Sequence, residues 1–75
     1  MRAKLFGTTW HKDTQKSLTM LEDSKIQFHF LDVGDTSSAM MDAMVALSGK
    51  TTFPQLHAKG VTYVGLESVQ KYLDI

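Results

Sequence analysis

Ser48-Gly49-Lys50-Thr51-Thr52-Phe53-Pro54-Gln55 is the stretch on which the fold of this 75-residue chain turns. Gly49 is placed to stop a helix, because glycine takes the left-handed conformation at which helices commonly end. Pro54, the single proline, follows the bulky Phe53. Only about 5–6% of X-Pro bonds in folded proteins are cis, so the dipeptide alone predicts a trans bond. Downstream, 53–57 and 61–64 read as two short strands. Lys59-Gly60 between them suits a tight hairpin turn, with Gly60 supplying the positive φ. Gly65 closes the hairpin, and 67–73 reads as a last helix packing through Val69, Tyr72 and Leu73.

Upstream, 37–48 reads as a helix capped by Thr36 or Ser37, with Met40, Met41, Met44, Val45 and Leu47 as its apolar residues. One of the neighbouring pair Met40 and Met41 is expected outside the core; the stripe could also serve as an adaptable contact surface. Gly34-Asp35-Thr36 turns the chain before it. The segment 26–33 is the strongest strand. Ile26, Phe28 and Phe30 project to one face and His29, Leu31 and Val33 to the other, the pattern of a central strand covered on both sides. Between Trp10 and Lys25 the period becomes helical: Thr14, Ser17, Leu18 and Leu21 share one face, with Gln15, Lys16, Thr19 and Glu22 opposite. Thr9 is the expected N-cap, and Asp13 suits the positive end of the helix dipole. A short strand at 3–6, stopped by Gly7-Thr8-Thr9, starts the chain.

The order is therefore β-α-β-α-β-β-α. Two strands joined through a helix are parallel by a right-handed crossover, and the hairpin is antiparallel. An α/β fold follows: a four-stranded mixed sheet with helices on both faces.

Composition sets limits. The length suits one small domain, 1–75, without a second core. Lys plus Arg and Asp plus Glu both total 8. A net charge of zero removes the bulk electrostatic footprint of a nucleic-acid or anionic-membrane binder. No apolar run approaches the roughly 20 residues that cross a bilayer, and Met1-Arg2-Ala3-Lys4-Leu5 is not expected to act as a signal peptide. There is no cysteine. Disulfides, thiolate nucleophiles and cysteine metal clusters are excluded with it, and a cytoplasmic setting is expected because small secreted domains rely on such staples.

The element order at this length resembles the glutaredoxin branch of the thioredoxin fold. The opening stretch is similar to that family's Ser-Gly-Arg-Thr-Thr-Val-Pro-Gln segment, which carries its cis-proline. Gly65-Leu66-Glu67-Ser68-Val69 is similar to the Gly-Cys-Asp-Asp-Leu that opens the last glutaredoxin helix, and Leu31-Asp32-Val33 to the Ile-Asp-Val ending the second strand. The resemblance covers essentially the whole chain. It implies a cis Phe53–Pro54 bond, reversing the expectation above. It also places the family's Cys-x-x-Cys on His11-Lys12-Asp13-Thr14, with Trp10 keeping the aromatic that often precedes the motif. Both thiols are gone, so the resemblance implies the fold without dithiol or monothiol oxidoreductase chemistry. Replacement of all four residues points to a naturally repurposed fold.

Two functions remain in view. The first is a redox-inactive protein-binding or adaptor module, such as a phage-type host-interaction protein. Its contact surface would be the former active-site rim: Thr8, Thr9, Trp10, His11, Lys12, Asp13, Thr14, Phe53 and Pro54, with Glu67 beside them. Trp10 would be its aromatic anchor. The second is glutathione binding, or a glutathione-dependent enzyme using the substrate's thiol. In the family, glutathione lies along the backbone beside the cis-proline, and its γ-glutamyl carboxylate meets the last helix. Phe53 would make the first contact, the amides of Leu66, Glu67 and Ser68 the second, and Lys50 stands where a basic residue is usual. Against it, Thr8 replaces the lysine often found before the Cys motif, and Val64 replaces the first glycine of a Gly-Gly pair. No catalytic residue is assigned. His11, oriented by Asp13, could bind a ligand or move a proton, but no second base is paired with it. His29 and His57 sit on different strands, so no metal site is expected.

Overall fold

A computed structural model of the protein describes residues 2–34 and 38–74. It contains β1 (Ala3–Gly7), α1 (Lys12–Asp23), β2 (Phe28–Asp32), α2 (Ser38–Ser48), β3 (Gln55–Ala58), β4 (Val61–Val64) and α3 (Leu66–Leu73). The sheet order is β2-β1-β3-β4. β1 runs parallel to β2 and antiparallel to β3, and β3 and β4 form a hairpin.

Alternation along the strands divides two cores. Ala3 and Leu5 of β1, Leu56 and Ala58 of β3, Leu21 of α1 and Val69 of α3 bury together, with Phe28, Phe30, Tyr63 and Tyr72 packed against them. On the opposite face Phe6, Val33 and Met44 form a smaller core, joined by Leu31, Met40, Met41 and Phe53. Thus α1 and α3 cover one face and α2 the other. Each fully buried Leu contributes about 1.5–3 kcal/mol.

β2 corrects one expectation. It lies at the sheet edge, not the centre. Its side chains face helices on both sides, which is what the sequence displays, but facial pattern says nothing of lateral neighbours. Both Met40 and Met41 are half-buried against the smaller core, so neither is left outside; among the described residues, the large apolar side chain that α2 exposes is Leu47, at 45%. The expected caps Thr36 and Ser37 lie outside the described residues. The strand expected from 53 begins at Gln55.

The chain reverses where the sequence places its turns. Lys59 and Gly60 both have positive φ, 53° and 78°, the requirement of a type I′ hairpin. α1 ends in a Schellman pattern: Lys25 N–H donates to the Glu22 carbonyl and Ile26 N–H to that of Leu21, with Lys25 at φ 58°.

Candidate functional site

The register Phe6↔Gln55 sets the site, because it runs Gly7-Thr8 alongside Pro54-Phe53 at one end of the sheet. The chain then folds back in a turn in which His11 N–H donates to the Thr8 carbonyl at 3.2 Å. This turn uses Thr9 and Trp10, so α1 starts later than the sequence suggests. His11, not Thr9, is its N-cap: extended at φ −87°, ψ 124°, with Nδ1 accepting from the Thr14 N–H at 3.4 Å and lying 3.3 Å from Thr14 Oγ1. An accepting Nδ1 puts the proton of the neutral ring on Nε2. The partner that orients His11 is thus Thr14 rather than Asp13. Gln15 Nε2 donates to the Thr9 carbonyl at 2.6 Å and braces the turn.

Three rings meet here. His11 and Phe53 stand at 5.1 Å between centroids and 89° between planes. Trp10 meets Phe53 at 6.3 Å and 86°, and His11 at 6.3 Å and 82°. Edge-to-face contacts of this kind contribute about 0.5–1.5 kcal/mol beyond area burial. Phe53 anchors the cluster in the smaller core, whereas Trp10 is 69% exposed. Gly34, after β2, lies behind them: a Cβ there would fall 2.8 Å from Thr8 Cγ2 and 3.2 Å from Trp10 Nε1.

The Phe53–Pro54 peptide bond is cis. Among the described residues the Phe53 backbone makes no hydrogen bond. Gln55 secures this loop. It is buried, and its Nε2 donates to the carbonyls of Lys50 at 2.9 Å and Thr52 at 2.7 Å. Sequence reasoning assigned Gln55 no role; a polar residue opening a buried strand directly after the proline was the available signal. The Pro54 carbonyl accepts from Gly65 N–H at 2.8 Å and ties the loop to the start of α3. Gly65, at φ 90°, gives α3 no capping side chain, so the first-turn amides of Leu66, Glu67 and Ser68 have no capping acceptor from it. The exposed Lys50 is held through its backbone by Ser48 Oγ, which accepts from Lys50 N–H at 3.1 Å and donates to the Lys50 carbonyl at 3.2 Å.

The proposed rim residues do not all present side chains. Thr9, Trp10 and Lys12 are exposed; His11, Asp13 and Phe53 are half-buried. Thr8, Thr14 and Pro54 are buried, which corrects their reading as contact side chains. They lie beneath the rim because Thr14 fills the space beside Gly7, and Thr8 that beside Gly34. The Thr8 hydroxyl is buried and has no hydrogen-bond partner among the described residues. His29 and His57 lie elsewhere, both in register with Lys4. Among the described residues no three His, Asp or Glu side chains converge as a metal site.

The sequence matches the family model described as glutaredoxin over residues 3–63. A glutaredoxin from Archaeoglobus fulgidus superposes with a TM-score of 0.83 at 12% identity, over 93% of this chain and 83% of that one. Buckwheat glutaredoxin in complex with glutathione gives 0.79 at 17%, over 96% and 68%. The Brucella melitensis glutaredoxin gives 0.76 at 19%, over 99% and 79%. At these identities the structural likeness shows the fold. No curated protein matches the sequence.

Proposed function

The chain belongs to the glutaredoxin family, and from that premise we propose that it is a redox-inactive protein-binding module using the rim where its relatives carry thiols. One observation carries this reading: Trp10, the only tryptophan, is 69% exposed yet held by the His11 and Phe53 rings. A large aromatic fixed in place but open to solvent loses little entropy on binding, which is the profile of a hot-spot anchor. Thr9, Lys12 and Asp13 supply polar contacts around it. The Phe53 backbone, unpaired among the described residues, offers an extended partner hydrogen bonds of the strand-addition kind. A thiol-free member of a thiol-dependent family is most simply explained by such a role, in a small cytoplasmic adaptor or a phage-type host-interaction protein. The test is affinity capture from native cells with wild type and Trp10→Ala in parallel. A specific protein retained by wild type and lost with the variant supports the reading; equal retention overturns it.

A second reading, glutathione binding, rests on the open first-turn amides of Leu66, Glu67 and Ser68 and on Lys50 at the same end of the sheet. A structural neighbour, the buckwheat glutaredoxin, is a glutathione complex. Here glutathione would supply the only thiol, and among the described residues no side chain is placed to activate it. Titration with reduced glutathione, followed by amide NMR, separates the readings: saturable shifts at Phe53 and 66–68 favour this one.

A further inference from the structure

The β2 edge of the sheet carries a second surface. Because β2 is an edge strand, its outer side has no strand beside it among the described residues. Natural edges are usually guarded by lysine, proline, a bulge or an inward charge. The β2 sequence Phe28-His29-Phe30-Leu31-Asp32 has no lysine or proline, and its one carboxylate, Asp32, stands at the very end of the strand, where it accepts from Gly34 N–H at 2.8 Å. Beside this edge an open groove of about 570 Å³ runs between the sheet and α2. Phe6, Leu31, Met40 and Leu47 give it apolar walls, and Lys4 and His29, cross-strand partners, line it as its cationic and imidazole groups. Lys4 makes no ion pair among the described residues. Leu47 stays 45% exposed on the rim of the groove.

We infer that this edge and groove dock an extended segment of a partner protein that carries an acidic residue two positions from an apolar one. Three features select that occupant. An open edge takes a strand through main-chain hydrogen bonds. Side chains of an added strand alternate, so residues two apart face the groove together. Among the described residues the groove carries apolar walls with a cation and no carboxylate in its lining, so one of those two residues is apolar and the other acidic. The groove backs onto the smaller core on which Phe53 packs, but none of its lining residues belongs to the Trp10 rim.

The probe is an acetylated, amidated peptide, Ser-Glu-Val-Leu-Thr-Ser, titrated into the full chain to about 1 mM and followed by amide NMR. Saturable shifts are expected on β2, Lys4 and the groove face of α2. Lys4→Glu, or lysine for the peptide's glutamate, should weaken binding about threefold to fivefold. N-methylation of alternate peptide amides should weaken it about tenfold in one of the two registers. Trp10→Ala should leave it unchanged. No saturation, equal binding of the lysine peptide, indifference to both N-methylated peptides, or shifts confined to the Trp10 rim would each overturn the inference.

Discussion

The His11 imidazole stands edge-on to the Phe53 ring, centroids 5.1 Å apart and planes at 89°, while its Nδ1 caps α1 through the Thr14 amide. One side chain thus joins the first helix to the proline loop where the family resemblance places the first thiol. A residue with two structural partners there is a working part of this fold, whatever chemistry has left the site.

Removing it should show that. His11→Ala loses the cap and the ring contact and should cost about 1–2 kcal/mol of unfolding free energy. His11→Asp, which restores only the cap acceptor, should recover roughly half of that loss. Urea denaturation of the three proteins measures both steps. Equal stability of wild type and His11→Ala would show that the cap contributes nothing.

Gly7 is a second point of constraint. A Cβ there would lie 2.5 Å from Thr14 Cγ2 and 2.6 Å from Thr14 Oγ1. Gly7 and Thr14 are both buried, so the clash cannot relax into solvent. Gly7→Ala should lower stability by about 1–3 kcal/mol through overpacking. Adding Thr14→Ala removes the two nearest atoms and leaves only the Thr14 Cβ, at 3.1 Å, so the double variant should be more stable than additivity of the two single changes predicts.

The sequence displays the elements, the sheet's crossover and the hairpin because period, Gly60 and Gly49 are local signals. It hides what depends on lateral placement. Phe28, Phe30 and Leu31 cover both faces of β2 equally well at an edge or at the centre. His11 is hidden as a cap for another reason: Thr9 is the stronger capping residue by type, and only the Thr8–His11 turn excludes it. The meeting of Trp10 with Phe53 is legible only through the family-like element order. The burial of Thr8 and Thr14 beneath them depends on Gly7 and Gly34, whose close contacts no periodicity reports.

Returning a thiol to the site tests whether its electrostatics persist. At the N-cap of α1, the group introduced by His11→Cys would face free first-turn amides, which favour a thiolate. Its pKa should fall below the ordinary value of about 8.5, seen as rapid alkylation by iodoacetamide near neutral pH. The wild-type protein, with no cysteine, should turn over a mixed glutathione disulfide no faster than buffer does. Turnover by wild type would contradict the reading of the chain as redox-inactive.

Trp10 separates binding from folding more cleanly than any other residue in the rim. At 69% exposed it contributes little to either core, so Trp10→Ala should change stability by less than about 1 kcal/mol, chiefly through the lost edge-to-face contacts. As the only tryptophan it is also its own reporter. Its emission should be red-shifted and readily quenched by acrylamide in the free protein. Engagement of a partner at the rim should shift that emission to the blue and protect it. Affinity for a partner bound there should fall by about 2 kcal/mol or more in Trp10→Ala. A partner that binds wild type and variant equally, leaving the emission unmoved, would take the functional surface away from the rim and leave the β2 edge as the face to examine.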